Sequence, residues 1–134
     1  MAGAKLDHVG VAVESISAAR KLYEAGLGLP LGGEEVLEDK GLSLAFFEAG
    51  GGVKIELLEG RGDDPISKFI AGKGPGIHHI CFRVDDIDEA VATLRRDGYE
   101  FLTQEPYAGA EGSRVIFMKP ASGLGVLIEL IQEA

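Results

Sequence analysis

Gly76-Ile77-His78-His79-Ile80-Cys81-Phe82-Arg83-Val84 is the stretch on which the reading of this chain turns. Its β-branched and aromatic residues alternate, and the Gly/Pro-rich run from Gly72 to Gly76 stands before it, so it reads as a buried β-strand. Side chains on a strand point alternately to two faces. His78, Ile80, Phe82 and Val84 therefore share one side, an apolar stripe fit to pack under a helix, with His78 as a structural residue. Ile77, His79, Cys81 and Arg83 share the other, and His79 is the group offered there for chemistry.

Working outward, residues 6–13 (LDHVGVAV) alternate in the same manner, with His8 opposite the stripe Val9, Val11 and Val13. Ser15 is placed to cap a helix over ISAARKLYEAGLG, which Gly26 or Gly28 ends. Strands are expected near 32–38, 42–48 and 52–59, and a short helix from Pro65 to about Ala71. After the opening strand, Asp85 or Asp86 caps a helix over IDEAVATLRRDG, and strands follow near 99–103, 113–118 and 124–132. The plan is thus a β-α-β-β-β unit used twice, an α+β fold: module one spans about 5–60, a connector about 61–75 and module two about 76–133, in a single domain.

Alignment of the two modules brings His8 onto His79 and Glu56 onto Glu129, with offsets of 71 and 73 residues. Each glutamate stands between apolar neighbours, Ile55 and Leu57 in one case and Ile128 and Leu130 in the other. A carboxylate in an apolar strand is costly to bury without a cation or hydrogen bonds. Two imidazoles and two carboxylates, related by one internal repeat, make a donor set for a divalent first-row metal.

The composition excludes other classes. The net charge of −9 argues against nucleic acid or an anionic membrane as the partner, and an anionic small ligand would need a local group of Lys and Arg. No apolar run approaches the ~20 residues of a membrane span. The start, MAGAKLDHVG, has no signal-peptide core, so a cytoplasmic protein is expected. The single cysteine, Cys81, allows no internal disulfide and reads as a buried, inert thiol.

The His8 strand, the ELLEG turn after Glu56, the segment DDPISKFIAGKGPGIHHICFRVDDI and the tail FMKPASGLGVLIELIQ together resemble the methylmalonyl-CoA epimerase family of the vicinal oxygen chelate superfamily, over nearly the whole chain. That resemblance implies two tandem β-α-β-β-β modules forming a cupped, mostly antiparallel sheet around a metal site. It implies metal ligands His8, His79 and Glu129, with Glu56 at a fourth position, and a divalent ion from among Co²⁺, Mn²⁺, Ni²⁺, Mg²⁺ and Zn²⁺. The implied reaction interconverts (2R)- and (2S)-methylmalonyl-CoA by C2 proton transfer through a metal-stabilised thioester enolate, with Glu129 and Glu56 as the catalytic carboxylates. An acidic position of some relatives falls at Leu44, which cannot serve. Where several relatives read His-Pro-Lys this chain has Lys119-Pro120-Ala121, so Lys119, with Ser122 and Arg114, is a candidate for the anion contacts. Lys68 and Lys73 are candidates for the CoA phosphates. The resemblance also implies an acyl-CoA as partner and a homodimer with a complete site in each chain. Competing readings are a glyoxalase I-like lyase acting on a glutathione hemithioacetal and a metal-free binding module of the same fold.

Overall fold

The structure, a computed structural model, describes residues 3–134. The chain forms two compact units, one of His8–His78 and one of His79–Ala134 with the segment that ends at Asp7. No helix among the described residues is long and apolar enough to cross a membrane.

In the first unit the elements are β1 (Lys5–Ala12), α1 (Ile16–Arg20), β2 (Leu31–Leu37), β3 (Leu42–Glu48), β4 (Lys54–Gly60) and α2 (Pro65–Lys73). The strands lie in the order β2-β3-β4-β1; β1 runs parallel to β4 and the other pairs are antiparallel. Ser15 caps α1 as expected, its Oγ accepting from the Ala18 N–H at 3.1 Å. The helix does not continue as one α-helix: Lys21–Gly26 is a π-helical turn, with the Leu27 N–H reaching back to the Leu22 carbonyl at 2.8 Å. Glycines at 26 and 28 lower the helix propensity there, and the wider closure takes over the last carbonyls. Val11, Val13, Ile16, Ala19, Tyr23, Ala45, Phe47 and Leu57 form the core under α1. Ala12, Leu42, Leu44 and Leu58 pack on the other face against Ile66, Phe69 and Ile70 of α2.

The second unit repeats the plan with β5 (Gly76–Arg83), α3 (Ile87–Arg96), β6 (Tyr107–Ala108), β7 (Arg114–Phe117) and β8 (Ile128–Gln132). Its order is β5-β8-β7-β6, with β5 parallel to β8 and the rest antiparallel. Both units are therefore β-α-β-β-β and mostly antiparallel. Phe82, Val84, Ile116, Met118 and Leu130 pack against Ile87, Ala90 and Val91 of α3, so the apolar stripe of the opening strand does lie under a helix.

The repeat extends to the helix caps. Asp86 caps α3, accepting from the Glu89 N–H at 3.1 Å, where Ser15 caps α1. The first helical N–H of each unit is then satisfied from the last strand: Ile16 donates to Glu59 Oε1 at 2.6 Å and Ile87 to Gln132 Oε1 at 2.8 Å. Each bond ties a helix start to the strand that carries a site glutamate three positions earlier.

Two expected strands differ. Residues 99–103 form only an isolated bridge between Phe101 and Met118, made by the Lys119 N–H donating to the Glu100 carbonyl and the Leu102 N–H to the Phe117 carbonyl, both at 2.9 Å, while the Glu100 N–H goes to the Ser122 hydroxyl at 2.8 Å. The edge strand is instead the two-residue β6. The last strand starts at Ile128 and not at 124, since Lys119 to Val126 closes on itself in turns.

Asp64 holds the start of α2. It is buried and accepts from the Ser67 N–H (2.9 Å), the Ser67 hydroxyl (2.8 Å), the Arg61 N–H (2.8 Å) and the Gly62 N–H (3.1 Å). A Cβ at residue 60 would collide with Asp64 and Ser67, which explains the glycine there. Burial pushes the Asp64 carboxyl up, but the hydrogen bonds from Ser67, Arg61 and Gly62 outweigh it and hold the pKa below the ordinary value. Its stabilisation is therefore complete above the unfolded carboxyl's pKa of about 3.9 and is lost as pH falls through the lower folded value. Asp64→Ala is expected to destabilise the fold by about 1–2 kcal/mol at pH 7. In urea melts the gap between wild type and variant should close below about pH 3.9, and a gap independent of pH would refute the assignment.

Candidate metal centre

Each unit carries one histidine and one glutamate on a pair of adjacent parallel strands. In the first, Gly10 on β1 is the register partner of Glu56 on β4, and His8 lies two residues before Gly10 on the same face. Gly10 has no side chain to fill the space, and His8 Nε2 comes to 3.7 Å from Glu56 Oε1. In the second, Cys81 on β5 is the partner of Glu129 on β8, and His79 lies two residues before Cys81. His79 Nε2 is 3.3 Å from Glu129 Oε1. His8, Glu56, His79 and Glu129 are all buried.

The chemistry of the donors fits a cation. Each pair places an imidazole nitrogen and a carboxylate oxygen together, shielded from water, and such N/O donors suit divalent first-row metals. His78 is not of this set. Its ring meets Phe69 of α2 edge-on, with centroids 5.0 Å apart. Cys81 is fully buried and Arg83 is engaged elsewhere, donating to the buried Asp7 at 3.1 Å with Glu133 at 3.8 Å.

Residues that the sequence reading did not single out adjoin both pairs. Phe46 on β3 is the direct antiparallel partner of Glu56, and Phe117 on β7 that of Glu129. The two phenylalanines are 71 residues apart, the same offset as the histidines, so the internal repeat contained the signal. Phe117 meets the His79 ring edge-on at 5.8 Å. Leu44 is buried, and across the ladder from it, on the Glu56 face, stands the exposed Glu35. Tyr107 lies near Glu129; burial first, and then that carboxylate's charge, raise its phenol pKa above the ordinary value.

The basic candidates are dispersed. Arg114 is turned to the α3 side, where it forms a two-point pair with Asp88 at 2.7 and 3.0 Å. Lys119 Nζ is 3.6 Å from Glu100, and the Ser122 hydroxyl accepts from the Glu100 N–H. In the first unit Lys68 is 3.9 Å from Asp63, and the Lys73 ammonium sits over the Phe69 ring at 5.8 Å.

Residues 7–117 match the family model described as the glyoxalase/bleomycin resistance protein/dioxygenase superfamily. The chain is 40% identical over 130 residues to the mitochondrial methylmalonyl-CoA epimerase of Bos taurus, covering 96% of this chain and 74% of that protein. It is 39% identical over 132 residues to the ethylmalonyl-CoA/methylmalonyl-CoA epimerase of Cereibacter sphaeroides, covering 96% and 97%. Among solved structures it is similar to a variant of Streptomyces coelicolor methylmalonyl-CoA epimerase in complex with 2-nitronate-propionyl-CoA, with a TM-score of 0.86, 35% identity and 97% of each chain covered.

If the pairs are metal ligands, the two adjacent histidines must behave differently. His79→Ala is expected to weaken Mn²⁺ or Co²⁺ binding at least tenfold in calorimetric titration, an effect on the scale of losing a metal-site interaction. His78→Ala should keep the metal and lower the melting temperature through loss of the Phe69 contact. Equal loss of metal in both variants would show the assignment of faces to be wrong.

Proposed function

The chain belongs to the glyoxalase/bleomycin resistance protein/dioxygenase superfamily, and from that premise we propose that it is an epimerase that moves the C2 proton of methylmalonyl-CoA at a site built from His8, Glu56, His79 and Glu129. The observation that carries this reading is the doubled His–Glu pair, with separations of 3.7 and 3.3 Å on equivalent strands. The named activity of relatives that match nearly the whole chain supports it.

In this reading His8, Glu56, His79 and Glu129 would be ligands of a divalent cation. When bound, it supplies Lewis-acid polarisation of the thioester and a fixed point for the substrate carboxylate. The protein's own groups move the proton. One glutamate carboxylate takes the C2 proton on one face of the acyl group, and the C–H electron pair delocalises onto the thioester oxygen. The other glutamate, protonated, returns a proton to C2 on the opposite face, restoring the C–H bond with inverted configuration; a glutamate would come off the cation while it carries the proton. Acid–base transfer by positioned side chains contributes about 10²–10⁴-fold. Burial of both carboxylates excludes the bulk water that would compete for the proton.

The strands give these groups their positions. Glu56 and Glu129 stand on β4 and β8, the strands whose Glu59 and Gln132 anchor the helix starts, so neither is on a loop. Glu35 is a further acidic group on the Glu56 face. Lys119 and Ser122 in the second unit, and Lys68 and Lys73 in the first, are proposed to meet the anionic parts of the coenzyme. Arg114 would have to leave Asp88 to do so.

Incubation of the protein with (2S)-methylmalonyl-CoA in D₂O is expected to give the 2R form with deuterium at C2. Chelation of divalent metal should abolish the exchange, and Glu129→Gln should lower it by about 10²–10⁴-fold. Full exchange after chelation would overturn the metal, while turnover of a glutathione hemithioacetal without C2 exchange would assign the site to a lyase.

A further inference from the structure

In the second unit, register fixes a strip of side chains that the proton transfer leaves unused. Glu129 on β8 is paired with Phe117 on β7, and Val115, two residues earlier on β7, is paired with Tyr107 on β6. Directly paired residues point to the same face. The intervening Ile116, like Leu130 next to Glu129, is turned the other way into the core under α3. His79, Glu129, Phe117, Val115 and Tyr107 therefore line one face in that unit.

The surroundings differ along the strip. Phe117 touches the His79 imidazole edge-on, and Val115 is buried. Tyr107 is 41% exposed, on a strand of only two residues at the edge, and within the field of the Glu129 carboxylate. Close packing below it is built in at Gly109, where a Cβ would lie 2.6 Å from the Ser113 hydroxyl and 3.1 Å from Val115. The strip is thus a firm aromatic surface that starts at the His–Glu pair and runs out to solvent.

We propose that Phe117 and Tyr107 form the wall that meets the C2 substituent of the acyl group, and so determine the size of the malonyl-type thioester that reacts. This rests on the epimerase reading given above. In such a substrate the carboxylate and the thioester oxygen are polar and the C2 alkyl group is not. The alkyl group needs apolar surface beside the acid–base pair, and rings supply it with few rotatable bonds to order. An apolar wall discriminates one methylene by about 10–200-fold, so removing part of it should alter that ratio.

The test compares kcat/KM of the full chain for methylmalonyl-CoA and ethylmalonyl-CoA, both followed by C2 deuterium exchange. Tyr107→Ala is expected to raise the ethyl-to-methyl ratio by about tenfold, while Tyr107→Phe, which keeps the ring, leaves the ratio within about twofold. Should Tyr107→Ala fail to fold, by circular dichroism, Phe117→Leu is judged by the same criterion. Parallel loss on both substrates with an unchanged ratio would overturn the wall and leave the epimerase standing. A wild-type protein that exchanges neither substrate would overturn both.

Discussion

A carboxylate and an imidazole held side by side away from water are the constraint on which each half of this molecule depends. A buried charged group is tolerated only with a partner, and Glu56 and Glu129 each have a histidine at 3.7 and 3.3 Å. The arrangement requires two parallel strands in a defined register. It also requires a small residue across from the glutamate, so that the imidazole two positions earlier can reach over it. Gly10 and Cys81 meet that requirement in the two units. A register slip of one residue would turn every one of these groups to the opposite face.

The same solution appears twice because the unit around it appears twice. The helix N-caps Ser15 and Asp86, the strand side chains Glu59 and Gln132 that satisfy the first helical N–H, and Phe46 and Phe117 beside the glutamates are all equivalent. Hydrogen bonds between residues 43 and 45 apart in sequence thus tie each helix start to the strand of its buried glutamate, three positions along, and side chains on such paired elements are held more firmly than on loops. The units differ at their edges. Opposite Leu44 the first has the acidic Glu35 on β2, whereas opposite Val115 the second has Tyr107 on β6. The first unit therefore adds charge at its edge and the second adds an aromatic ring.

The chain's excess of acid shapes what its cations do. Arg20 is bound by Glu24 and Glu34, Arg83 by Asp7, and Arg114 by Asp88. The arginines serve structure, and the lysines near the connector and the tail are the more exposed cations.

By itself the sequence determined the two modules, the helix caps at Ser15 and Asp86, the separation of His79 from His78, and the placing of one histidine and one glutamate on equivalent strands of each module. All of these follow from period-two alternation, local capping chemistry and self-similarity, which depend on near neighbours along the chain. Only the tertiary structure decided that Glu56 would stand beside His8 in a given register, that 99–103 would make a single bridge while the Glu100 N–H goes to Ser122, and that Tyr107 would share the face of Glu129. A two-residue strand has no period to read, and the partner of a backbone group far along the chain is chosen by packing and register, which no local pattern encodes.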